Sequence, residues 1–488
     1  MMSFLHQIKS HPIAGLSFIL APIALSILYW GQLSDWSFKF DLNHTLSDTQ
    51  WWQITNLLQG DATLGTHGLA GDAMFNDRGE VIAYWLPFPG IIRLILMSFF
   101  FPLIEILRKH EIGNGFGQLY MSIPSVVLAY FVTMLALLFL LSELYIKVKG
   151  INNRKITLSF RTQLIVILTV PSWFFFRWAN VYVESISWAI AISLWIMVYF
   201  LKCQRDASAI NYVTFSILVF FSFFTRIPEI LISISLVIFL YFHSKQNVNA
   251  NANLTLKKFL PMLSLCSGAL ALGLINIARW GSPFTFVPLE KHIATFSDPI
   301  RLERYMTYGN FYPKRFLTNL MYYWSFDTQN FSTSFPWVRL SGVNNFLGSL
   351  NTMDYVEKKI TVFPVMFAMI TIIMYFTLQK LRNLNLKYWK LWLMKLLDSP
   401  LESSSLLGLS ILLFAPALAV RYTSEWLLFL APFSLRLLCE ALYSRNHGDA
   451  VISGHVKVDV ERKFLWIVPL FITQFCLCIL TAGINIYG

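Results

Sequence analysis

Long apolar runs alternate with short, mostly basic connections, and this feature limits the possible folds more than any other. The runs are about 20 residues long, the length a helix needs to cross a hydrocarbon core roughly 30 Å thick. A separate run placed there must satisfy its backbone internally, which makes it an α-helix. Of 488 residues, 13% are charged, against about 25% in a soluble chain. A disordered chain, a secreted disulfide scaffold and a compact cytosolic enzyme are excluded. The expected fold class is an all-α polytopic membrane protein.

Eleven spans are expected, at 12–30, 119–146, 158–176, 185–201, 208–224, 228–243, 259–278, 360–379, 404–420, 425–443 and 464–484, with the N-terminus inside. The first run is too long for a cleaved signal peptide and lacks a small-residue exit, so it is expected to remain as a span. The formal net charge of +12 is explained by this threading. The inner side receives 21 basic and 8 acidic residues, and the outer side 17 basic and 18 acidic. Cytoplasmic loops of membrane proteins collect Lys and Arg in this way, so nucleic acid is not an expected partner.

The resulting layout is a first span (1–30), an outer loop (31–118), a bundle (119–279), a second outer loop (280–359) and a C-terminal bundle (360–488). Residues 86–106 are long enough to cross, which would give twelve spans with the N-terminus outside. Three features favour a helix lying in the outer interface. Arg93 would sit mid-membrane at a cost of at least ~2.5 kcal/mol. Pro87, Pro89 and Pro102 interrupt the run, and Lys9 prefers the inside. The five cysteines (Cys203, Cys266, Cys439, Cys476, Cys478) avoid the outer loops, so no disulfide framework is expected. The polar stretch 246–255 reads as a solvated inner loop.

Chemistry belongs in the large loops and at ionisable residues near span ends. In the first outer loop, Ser47 and Gln50 have the spacing of a capping box. Asp48 between them reads either as a first-turn acid favoured by the helix dipole or as a general base at the membrane surface. Asn76-Asp77-Arg78-Gly79-Glu80 before Val81-Ile82 reads as a hairpin turn. Arg177, Glu184, Arg226, Glu229, Arg279, Arg421 and Glu425 gather at outer span ends. Snorkelling explains any one of these, but several arginines around one cavity suit a phosphate, because a guanidinium binds its oxygens bidentately. The second outer loop has no nucleophile triad, paired-His motif or Gly-rich cradle. His292, Arg301 and Arg304 read as solvated, and its aromatics as an interfacial belt.

The stretch Asn276-Ile277-Ala278-Arg279-Trp280-Gly281-Ser282-Pro283-Phe284 resembles a span exit found in multi-spanning bacterial glycosyltransferases of the GT-C superfamily. Tyr182-Val183-Glu184 with Trp188, Pro87-Phe88-Pro89 running into Arg93, and Arg421-Tyr422-Thr423 fit the same resemblance, which is diffuse over most of the chain. It implies a bacterial plasma-membrane enzyme with an outward active site and a first-loop catalytic acid. Its donor would be a sugar on a polyprenyl phosphate or diphosphate, and its acceptor a glycan, lipid or protein. Asp48 best matches that acid, with Asp35 in reserve, although the frequent Asp-Glu pair is absent. Arg279, Arg226 and Arg421 would hold the leaving phosphate, and Glu184, Tyr182 and Arg93 would line the substrate site. No cofactor is certain. A divalent metal is compatible with this chemistry, but no ligand constellation demands one. A lipid-linked sugar transporter or flippase, and a surface-glycan polymerase or ligase, remain alternative readings.

Overall fold

A computed structural model describes residues 12–34, 36–38, 48–65, 74–109, 121–149, 155–158, 162–163, 166–167, 181–206, 208–243, 252–285, 287–324, 329–331, 338–340, 355–356, 367–382, 399–415, 417–418, 422, 425–445 and 455–458. The described structure is mostly helical. Its longer helices are α1 (Pro12–Leu33), α2 (Thr49–Leu58), α3 (Phe88–Lys109), α4 (Ser122–Lys149), α5 (Val181–Arg205), α6 (Ala209–Ser222), α7 (Ile227–His243) and α8 (Ala252–Trp280). Then follow α9 (Ile293–Phe296), α10 (Pro299–Tyr308), α11 (Arg315–Trp324), α12 (Phe367–Arg382), α13 (Pro400–Phe414) and α14 (Leu427–Arg445). Nine of the eleven expected spans each meet one of these helices. The expected span 158–176 lies mostly, and 464–484 wholly, outside the described residues.

Among the described residues, four helices are long and apolar enough to cross a membrane: α1, α4, α5 and α8. They divide by burial. The apolar windows of α4 and α5 are 67% and 78% buried, whereas those of α1 and α8 are 33% and 22% buried. The two central helices therefore pack against protein, and the two peripheral ones turn most of an apolar surface outward. On α8, Phe259, Leu263, Leu270, Leu274 and Ile277 are exposed along one stripe. A patch of that size would promote association in water, while hydrocarbon solvates it. Shorter apolar helices, α6, α7 and α13 among them, fill out the bundle.

Tryptophans seven residues apart set the register of the central pair. Trp188 Nε1 donates to Ser125 Oγ (3.0 Å), and Trp195 Nε1 donates to the Val132 carbonyl (3.2 Å). Both indole N–H groups are thereby satisfied inside an apolar core. The matching order shows that α4 and α5 run parallel.

Charged groups segregate to the two ends. At one end Arg205 Nη1 meets Glu143 Oε2 (2.5 Å), Lys147 Nζ meets Gln204 Oε1 (3.2 Å), and Arg436 contacts both Glu402 and Glu440 at 3.3 Å. The other end carries Glu184, Arg226, Glu229, Arg279 and Glu425, together with α2, α3 and residues 281–324. This loop-bearing end is capped by α3. Its Phe88 N–H bonds the Phe224 carbonyl after α6, Arg93 pairs with Glu184 on α5, and Leu96, Met97 and Phe100 pack on Met121 before α4. Contacts with three helix ends in succession mean that α3 lies across the bundle rather than along it.

Four two-stranded sheets add to the helical frame. In the first, β1 (Met74–Phe75) pairs antiparallel with β2 (Val81–Ile82), forming the hairpin expected around residues 76–80. At the opposite end, β3 (Lys155–Leu158) pairs in parallel with His455–Val458. Gln329–Phe331 pairs antiparallel with the nearby Val338–Leu340, and Tyr355–Val356 pairs in parallel with Ala417–Leu418, which ties two chain-distant segments together.

Candidate functional site

The site is built where α2 and α3 cross the loop-bearing end. Gly90 of α3 permits that crossing. A Cβ there would lie 2.6 Å from the Gln50 carbonyl oxygen and 2.9 Å from Ile54 Cβ. Ser47, one half of the expected capping box, lies outside the described residues. Asp48 occupies the N-cap position, and its side chain caps nothing. Gln50 is buried and donates to Ser185 Oγ at 3.3 Å. Asp48 is left half-buried, its carboxylate unbonded to any described residue, two positions from that contact. Asp35 lies outside the described residues.

The arginines differ sharply in what answers their charge. Arg93 and Glu184 are both 0% exposed and form a two-pronged pair, with Nε to Oε1 at 2.9 Å and Nη2 to Oε2 at 2.5 Å. Arg226 pairs with Glu425 and lies over the Tyr422 ring. Arg421 lies outside the described residues. Arg279, at the end of α8, is 2% exposed and gives one hydrogen bond, from Nη2 to the Trp85 carbonyl at 3.0 Å. Its Nε has no partner, and no described carboxylate pairs with it. Snorkelling places the head group in water, so burial excludes that explanation for Arg279. A guanidinium buried without a counter-charge costs several kcal/mol.

An aromatic wall stands beside these groups. The Tyr84 and Tyr182 hydroxyls are 2.9 Å apart, Trp85 stacks on Tyr84 at 4.1 Å, and the Tyr182 ring meets Trp85 edge-on. His292 packs edge-on against Tyr84, and Lys291 pairs with Asp77 of the hairpin. The second loop is thus fastened over the first. Asp298 caps α10 by accepting from the Ile300 and Arg301 N–H groups, and Pro299 sits at the favoured first position. Asn319 on α11 donates to the Leu412 and Ala415 carbonyls, satisfying acceptors at the end of α13. Burial, then the nearby Glu290, pushes the Tyr305 phenol up to about 12, which keeps it neutral.

Two further groups escaped the sequence reading. Gln53, 3% exposed, donates to the Trp85 carbonyl at 2.7 Å. Its signal was three amides, Gln50, Gln53 and Asn56, spaced three apart on a short helix that is otherwise largely apolar. Glu229 was visible as a charged span end, but its isolation was not. It is 0% exposed and neither carboxylate oxygen has a hydrogen-bond partner. Among the described residues no group of three or more His, Cys, Asp or Glu could hold a metal ion. No family model, no curated relative and no solved structure matches the chain. A functional reading therefore rests on the chemistry of these side chains.

Proposed function

We propose that the chain is a membrane glycosyltransferase of GT-C type. It would move a sugar from a polyprenyl phosphate or diphosphate donor to a glycan, lipid or protein acceptor on the outer face of a bacterial plasma membrane. The observation that carries this reading is Arg279, a buried guanidinium with no counter-charge among the described residues, at the bundle end that also carries the Asp48 carboxylate, which no described residue bonds.

The two groups suit opposite ends of a displacement. Asp48 accepts the proton of the acceptor hydroxyl as its oxygen bonds to the anomeric carbon. The bond from that carbon to the phosphate oxygen breaks, and the lipid phosphate leaves with the electron pair. General-base help of this kind contributes typically ~10²–10⁴ in rate. A donor fixed in a water-poor site stabilises the charge gathering on the leaving oxygen, and Arg279 supplies it. Asp48 and Gln53 are separated by about 7.5 Å along the α2 axis, and Gln53 shares the Trp85 carbonyl with Arg279. Attack from the side opposite the phosphate inverts the anomeric centre. Arg93 and Arg226 are neutralised by Glu184 and Glu425, so they shape the site rather than hold the anion. A transporter would place its open charges near mid-membrane, whereas Asp48, Arg279 and Glu229 all stand at helix ends.

The test compares lipid and glycan extracts from cells with and without the gene, then from cells carrying Asp48→Asn. Loss of one sugar decoration, reproduced by Asp48→Asn with normal membrane insertion, is the expected result. Arg279→Ala should weaken donor use, and unchanged donor kinetics would remove it from the phosphate site.

A further inference from the structure

Two unpartnered polar atoms at this end belong to side chains that share one acceptor. The Trp85 carbonyl oxygen receives Gln53 Nε2 at 2.7 Å and Arg279 Nη2 at 3.0 Å, so amide and guanidinium stand side by side. What each has left over is complementary. Arg279 keeps an open donor at Nε, and Gln53 keeps an open acceptor at Oε1. The residues are 2% and 3% exposed, so bulk water does not satisfy either atom.

The Gln53 amide cannot turn over to change this. A flip would set Oε1 against the Trp85 carbonyl oxygen, acceptor against acceptor, and forfeit the existing bond. An acceptor is therefore the group Gln53 offers beside the cation. A fully ionised phosphate monoester with no neighbouring hydroxyl answers Arg279 but presents only acceptors to that amide oxygen. A neutral polyol answers Gln53 and leaves the guanidinium uncompensated. One ligand answers both: a phosphate ester whose neighbouring carbon carries a hydroxyl.

We propose that Gln53 is a specificity-determining residue, accepting a hydrogen bond from the hydroxyl on the carbon next to the phosphate ester that Arg279 holds. The assignment rests on reading Arg279 as the anion-holding group, and it narrows the donor class. A sugar 1-phosphate with a free 2-hydroxyl fits, as does a glycerol phosphate headgroup. A simple alkyl phosphate does not.

The test titrates the full chain in detergent, following tryptophan fluorescence, with four probes: glucose 1-phosphate, 2-deoxyglucose 1-phosphate, glycerol 3-phosphate and methyl phosphate. Wild type should bind glucose 1-phosphate roughly tenfold more tightly than the deoxy sugar or methyl phosphate, the scale of one buried acceptor left unmet. Gln53→Met should erase that preference while keeping its affinity for methyl phosphate. Glycerol 3-phosphate binding as tightly as glucose 1-phosphate supports the assignment with a lipid headgroup as source, and weaker binding supports it with a sugar as source. Equal wild-type affinity for glucose 1-phosphate and its deoxy analogue overturns the Gln53 role alone. Wild type binding none of the probes, or Arg279→Gln binding them unchanged, overturns the anion reading together with it. The wild-type comparison needs no variant, so a misfolded Gln53→Met leaves the question decidable.

Discussion

Arg93, Arg226 and Arg279 carry the same charge at the same end of the bundle, yet their surroundings give them different work. Arg93 is locked to Glu184 with both side chains fully buried. A buried pair of this kind is strongly destabilised when one partner is removed, by about 3–5 kcal/mol, because the survivor is left charged in an apolar setting. Replacing both partners by apolar residues removes that penalty. Arg93→Met and Glu184→Leu should therefore each lower the thermal unfolding temperature markedly, while the double variant recovers most of the loss. Equal or additive losses would assign Arg93 a partner other than Glu184. The arginines were legible in the sequence because ionised residues at span ends stand out against apolar runs. Which of them is neutralised was not, since Glu184 lies 91 positions from Arg93 and Glu425 lies 199 from Arg226. Sequence spacing carries no information about partners that only packing brings together.

At the scale of the element, α2 shows how a short helix gains a role from its neighbours. Its Gln50 and Gln53 face inward and bond Ser185 and the Trp85 carbonyl, although their sequence context suggests only capping chemistry. The crossing that holds α2 in place depends on the missing side chain of Gly90. Gly90→Ala should force the two helices apart, with an overpacking cost of about 1–3 kcal/mol. It should also lower sugar transfer, because Asp48 and Gln53 move with α2. Gly273 in α8 is the contrast. A Cβ there would meet Pro283 Cβ at 3.5 Å, an ordinary contact. Gly273→Ala should be neutral or stabilising by up to ~1 kcal/mol from helix propensity. Parallel unfolding and activity measurements on the two variants separate crossing geometry from a general intolerance of change. Gly90 was not readable as a contact point from the sequence, since Pro87, Pro89 and Gly90 together suggest only an interrupted helix start.

Across the whole molecule, the arrangement of charge is the part most fully written in the sequence. Residues assigned to one side by the positive-inside rule do meet: Lys147 with Gln204, Arg205 with Glu143, and Arg436 with Glu402. Of those assigned to the other side, Glu184 pairs with Arg93 on α3, and Arg279 bonds the Trp85 carbonyl that Gln53 of α2 also bonds. The same patterning sends α4 and α5 in one direction, because one expected span separates them, but it does not reveal that they lie side by side, which depends on two indole N–H groups finding partners on the neighbouring helix. The two ends can be told apart in cells. In a background with the native cysteines replaced, Asp77→Cys in the exposed hairpin should react with a membrane-impermeant maleimide in intact cells. Gln204→Cys, exposed at the opposite end, should react only after permeabilisation. Labelling of both from the same side would break the threading, and with it any mechanism that sets Asp48 and Arg279 in one compartment. Opposite labelling would leave Asp48 and Arg279 facing the compartment where a lipid-linked sugar and its acceptor meet. The Arg205–Glu143 and Arg436–Glu402 pairs would then anchor the bundle on the cytoplasmic side.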